Sequence, residues 1–306
     1  MPLVALAIVA ATALGAVAEH RWRGQALALS RRLIDMMVWS LLPFIAFFSV
    51  ARLHLGGGVG AGLLLGYAMV AITGVLAHLA GTRLLRLPRP SVGALIAVVI
   101  LANTGYLGIP LNAALLGHEA LAPAIAWDTL ISSVVLYTGG FAVGAAFGTR
   151  AGGSAAERVR AFFTRNPVLY AVIAGLVVPD VLAPQVLVDL AHASAFALLP
   201  VGFFILGVNL MGEEEGGTLR FPPPLTAPTA TGMALRLVAA PAVMAGLSAA
   251  IVDVPHAYLV QAAMPSGINS LIVAHLYGLD LRLTAGTIAW STAVAVVAAL
   301  VLAPMV

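Results

Sequence analysis

The 306-residue chain contains no cysteine, which excludes disulfides, thiolate metal sites, haem thiolate ligation and a cysteine nucleophile. Lysine is absent too, so all 15 basic residues are Arg, and with 12 acidic residues the formal net charge is +3. Charge of either sign is scarce, at 9% of residues, whereas 61% are hydrophobic and the mean hydropathy is +1.05. A soluble domain carries roughly 25% charged residues. A water-exposed globule is therefore excluded, and the chain reads as an all-α membrane protein. In such a chain an excess of Arg is an orientation signal before it is a nucleic-acid footprint, and no nucleic-acid partner is expected. The sequence also lacks H-E-x-x-H and any convincing Ser-His or paired-Asp motif, so no catalytic residues are assigned and no enzyme is expected. The glycines between Gly56 and Gly66 do not make G-x-G-x-x-G. Gly62-x-x-x-Gly66 reads instead as a site of close helix packing.

Apolar runs between charge clusters place ten helices near residues 2 to 18, 33 to 51, 58 to 80, 91 to 117, 120 to 148, 167 to 184, 187 to 211, 229 to 251, 255 to 278 and 283 to 304. At about 20 residues per span these use about 200 residues and leave no room for a large soluble domain. The first run has its charges after it (Glu19, Arg21, Arg23), not before it, and reads as a retained helix. Arginines mark alternate connections: Arg21, Arg23, Arg31 and Arg32, then Arg83, Arg86 and Arg89, then Arg150, Arg158, Arg160 and Arg165, then Arg220 and finally Arg282. The opposite set holds only Arg52. This bias predicts a cytoplasmic-membrane protein with both termini outside.

Residues 149–165 form the longest basic connection and divide the chain into five-helix halves, 1–148 and 166–306. The string Leu41-Leu42-Pro43 in span 2 returns as Leu198-Leu199-Pro200 in span 7, and the least helix-like spans, 4 and 9, hold Pro110 and Pro265 at matched places. Because five is odd, the second half enters the bilayer from the other face. Such inverted repeats belong to alternating-access carriers.

A mid-span proline removes a backbone donor and clashes with the preceding turn, and nearby glycines ease departure from the helix. Backbone groups freed this way persist only in protein or a wet cavity. If the two breaks cross, Asn103, Thr104 and Gly105 before Pro110 meet Ser266 and Asn269 after Pro265. With the half-helix N-termini they make a candidate anion site, above all for a carboxylate. Asp128 and Ser132 in span 5 are candidates for ion coupling, with sodium or a proton as the coupling ion and no other cofactor expected. Arg236 in span 8 reads either as a side chain snorkelling to the interface or as a counter-charge for substrate. Glu213-Glu214-Glu215 reads as a solvated loop.

The strings NTGYLGIPL at 103–111, RNPVLYAVIAGL at 165–176, LLPVGFFILGVNL at 198–210 and AAMPSGINSLIVAHLYG at 262–278 resemble the auxin efflux carrier family. That family includes plant auxin carriers and bacterial transporters implicated in malate or malonate uptake. The resemblance implies ten helices in two inverted five-helix repeats with crossed broken helices 4 and 9, the fold of bile-acid sodium symporters and sodium/proton antiporters. It assigns spans 1, 2, 6 and 7 to a scaffold and spans 3 to 5 and 8 to 10 to a transport unit. By it the substrate-contacting asparagine falls on Asn103, and the crossover prolines fall on Pro110 and Pro265. The chain lacks the long loop that plant members carry after span 5, and it has Asn269 where they are apolar. The expected activity is secondary transport of small organic anions, mono- or dicarboxylates or auxin-like acids, by an elevator-like or rocking homodimer. A passive anion channel and a sodium-coupled symporter of bile-acid-like substrates are the alternatives.

Overall fold

The computed structural model describes residues 2–22, 24–51, 60–150, 152, 154–212 and 223–302. Arg23, Arg52, Gly56, Arg220 and the acidic run Glu213 to Glu215 lie outside them. Among the described residues all regular structure is helical, apart from one antiparallel bridge between Ala102 and Ser266. In chain order the helices are α1 (Pro2–Arg21), α2 (25–51), α3 (Gly60–Leu84), α4 (Arg89–Ile100), α5 (104–116), α6 (121–147) and α7 (Ala155–Thr164). They continue as α8 (Pro167–Val177), α9 (Gln185–Gly212), α10 (Ala227–Ile251), α11 (His256–Ala262), α12 (Asn269–Tyr277) and α13 (Leu281–Leu302). Four of them, α3, α6, α10 and α13, contain stretches long and apolar enough to cross a membrane. Their outward faces carry aliphatic side chains such as Leu64, Val238 and Val297, as lipid contact requires.

Proline shapes the long helices in a recurrent way. Before Pro43, Pro110 and Pro241 the chain opens into a wide turn, over Met37–Leu41, Thr104–Gly108 and Leu235–Ala239, closed by i→i+5 hydrogen bonds such as Ile109 N–H to the Thr104 carbonyl. A proline has no N–H for the carbonyl four residues back and its ring would collide with it. Widening the turn moves that carbonyl aside and leaves it free for other partners. Helix α6 widens twice without proline, over Asp128–Ser133 and Leu136–Gly140. Here donors from other helices take the released carbonyls: the Tyr67 hydroxyl donates to Leu130, and Asn166 Nδ2 donates to Tyr137 at 2.6 Å.

Side-chain caps order the segment that follows Ser154. Ser154 and Glu157 form a reciprocal capping box, at 3.1 and 3.0 Å, that starts α7. Asn166 then caps α8, accepting from Leu169 N–H at 3.0 Å, with Pro167 at the first helical position.

Helix α1 lies along α9, where Gly15 and Gly207 let the backbones touch, since a side chain on either would strike the Phe204 or Thr12 carbonyl. Helix α8 packs on α2. The other helices pack mainly among themselves: α3 on α4 and α10, α13 on α4 and α10, and α11 on α6. Gly62 and Gly66 serve the close packing read from their spacing, with Tyr258 of α11 over one and Trp127 and Ile131 of α6 over the other.

Candidate functional site

The chain is interrupted between α4 and α5 and again between α11 and α12, and the interruptions meet. Between α4 and α5, residues 101–103 run extended beside residues 265–267. Asn103 N–H donates to the Pro265 carbonyl at 2.8 Å and Gly267 N–H to the Leu101 carbonyl at 2.6 Å. Gly267 is required there, because a Cβ would stand 2.8 Å from the Ala102 carbonyl oxygen. The Ser266 hydroxyl donates to Val98 at 2.8 Å and its N–H to Ser291 at 3.2 Å, which fastens the crossing to α4 and α13.

On one side of the crossing opens a cavity of about 270 Å³, closed by Leu42, Ile45 and Ala46 of α2 and floored by α5, α6 and α12. Asn103, Thr104, Gly105, Asp128, Ser132 and Asn269 all line it. Pro110, Pro265 and Ser266 do not: Pro110 lies beyond the wide turn, Pro265 contributes its carbonyl to the crossing, and the Ser266 hydroxyl turns away toward Val98. Their place is in the frame of the site.

The Asn103 side chain is buried, yet neither its amide nitrogen nor its oxygen has a hydrogen-bond partner, and the Asn269 oxygen is likewise unpaired. Buried amides normally find partners, and leaving one unmade costs about 1–3 kcal/mol. The Asn103 amide and the Asn269 oxygen, at the start of two half-helices, thus stand at one cavity without a protein partner. Thr104 Oγ1 donates to Asp128 Oδ1 at 2.6 Å, and Gly105 packs against the same carboxylate.

Sequence reasoning missed Tyr106 and Tyr137, which also line the cavity. An aromatic residue in an apolar span carries no mark that separates a wall from a core. It also misjudged Arg236. The guanidinium does not snorkel, nor does it line the cavity; it is buried, and Nε donates to Met264 at 2.8 Å, Nη1 to Val99 at 3.0 Å and Nη2 to Ala262. These carbonyls end α4 and α11, so one cation satisfies the C-termini of both broken helices.

Comparison with known proteins now bears on the whole. A family model described as "Membrane transport protein" matches residues 158–303, the half that carries α12 and Asn269. The second half of the chain is thus similar to this family. It is the auxin efflux carrier-like family that the sequence resembles. An uncharacterized transporter of Methanocaldococcus jannaschii is 28% identical over 229 residues, covering 70% of this chain and 68% of the relative. The protein is thus a membrane transporter and not an enzyme, as its lack of catalytic motifs led us to expect. In this transporter the crossing, the unpaired amides and the Thr104–Asp128 pair sit together at one cavity.

Proposed function

We propose that this transporter moves small organic anions, mono- or dicarboxylates, by alternating access of a crossover unit. The observation that carries the reading is the buried Asn103 amide, with neither its nitrogen nor its oxygen partnered, beside the unpartnered Asn269 oxygen, at the start of two half-helices on one cavity. A carboxylate accepts hydrogen bonds from amide N–H groups and is favoured at helix N-termini. The volume, about 270 Å³, is near the lower end of ordinary ligand pockets. It suits a small acid better than a bile-acid-like steroid.

In this reading the chain is two inverted repeats of five spans, 1–148 and 166–306, joined by 149–165. Helices α1, α2, α8 and α9 form a scaffold, and α3–α6 with α10–α13 form the moving unit. The grouping of helix contacts and the lean of α2 over the cavity mouth support it. The protein resides in the cytoplasmic membrane as a homodimer with both termini outside.

The test is exchange of radiolabelled acids in proteoliposomes, with lactate, pyruvate, malonate, malate and indole-3-acetate as the panel. At least one acid is expected to exchange, and Asn103→Ala and Asn269→Ala should each slow it tenfold or more. Unchanged exchange in Asn103→Ala removes the crossing as the binding site. Flux far above carrier turnover supports the passive channel instead.

A further inference from the structure

The cavity lining holds a single carboxylate, Asp128, and among the described lining residues no Arg or His. Arg236, buried beside the crossing, has its donors committed to Met264, Val99 and Ala262. Thr104, the neighbour of Asn103, donates to Asp128 Oδ1 at 2.6 Å, and a Cβ on Gly105 would sit 3.2 Å from both Asp128 oxygens. An anion on Asn103 therefore shares a secluded pocket with a second carboxylate. Two like charges in such a place do not both stay ionised, and the pair holds a proton.

We infer that Asp128 takes up one proton when the anion binds, so that the protein is a proton–carboxylate symporter. The inference rests on the reading that the crossing binds a carboxylate. In the empty unit Asp128 is ionised and the site carries one negative charge. In the loaded unit Asp128 is protonated, the substrate carboxylate is ionised, and the site again carries one negative charge. The unit thus crosses with the same charge in both directions. A full cycle moves one proton and one monocarboxylate without net charge, and a dicarboxylate adds one negative charge per cycle.

The titratable groups facing Asp128 are Tyr106 of α5 and Tyr137 of α6, phenols that are uncharged at neutral pH; α2 offers apolar side chains and α12 the Asn269 amide. A bound metal cation needs a shell of several oxygens. Here the Thr104 hydroxyl spends its proton on Asp128, and Asp128 is the one carboxylate among the described lining residues. The proton fits this arrangement with no rearrangement.

The experiment uses the panel acid that exchanges, in sodium-free proteoliposomes with the interior one pH unit more alkaline. Wild type should accumulate it about tenfold, one proton per anion. For a monocarboxylate, accumulation should ignore a potassium–valinomycin potential. Asp128→Asn should lose pH-driven accumulation beyond the passive entry seen in protein-free vesicles. A second measurement guards against a variant that fails to fold: wild-type protein in weakly buffered detergent should take up about one proton per substrate bound, read by an indicator dye. The inference is overturned if wild type exchanges the acid without responding to the pH gradient, if a sodium gradient drives uptake instead, or if binding takes up no proton. If no acid in the panel exchanges, the carboxylate reading itself fails.

Discussion

A guanidinium out of reach of water must find its acceptors inside the protein, and Arg236 finds three, on the ends of two helices. Replacing it with Met removes the charge but strands those carbonyls, and each buried unsatisfied group costs about 1–3 kcal/mol. Arg236→Met should lower stability by about 3 kcal/mol or more. Arg236→Lys, with one point donor in place of a fork, should fall between the two. Thermal melting of detergent-purified protein followed by tryptophan fluorescence is the check. Asn103 shows the opposite economy of design: its amide has no protein partner to lose. Asn103→Ala should therefore leave the melting temperature near wild type while exchange drops, a separation that marks a ligand-facing side chain and not a structural one.

At the scale of the element, the widened turns explain what could be read from the sequence and what could not. That residues near Pro110 and Pro265 depart from regular helix could be read from the prolines and glycines standing together in otherwise apolar runs. Which way each side chain turns past a break was not, since helical periodicity stops there. Asn103 and Ser266 looked alike on paper, yet one faces the cavity and the other is stitched to Val98. The wide turns of α6 have no proline to announce them, and the partners that stabilise them, Tyr67 and Asn166, come from distant segments. Arg236 was misread for a related reason, because its acceptors exist only once both broken helices are in place. Asn166→Ala removes a helix cap and a donor to Tyr137 together, and should cost about 1–3 kcal/mol, measurable as a shift of the same melting curve. Gly267→Ala is sharper still. A Cβ 2.8 Å from the Ala102 oxygen pushes the two crossing segments apart, so exchange should fall tenfold or more even in protein that elutes as a single folded peak.

Across the whole molecule the absence of cysteine is a practical asset, because any thiol introduced is the only one. The alternation of arginines makes Thr149→Cys reachable by an impermeant maleimide from the cytoplasmic side and Asp253→Cys from the outside. Labelling of both from one side would overturn the topology. The all-helical class was legible in the sequence, since long apolar runs decide it, and among the described residues four helices are long and apolar enough to cross a membrane. The close approach of α1 and α9 was not, since glycines such as Gly15 and Gly207 are common in membrane helices and gain meaning only when paired. The crossing itself is closed by main-chain bonds, Asn103 N–H to Pro265 and Gly267 N–H to Leu101. Side chains on the cavity wall take no part in these two bonds. The frame and the cargo are thereby specified by different atoms, so a lineage of such proteins can exchange one acid for another by changing wall residues while the crossing that carries them stays as it is.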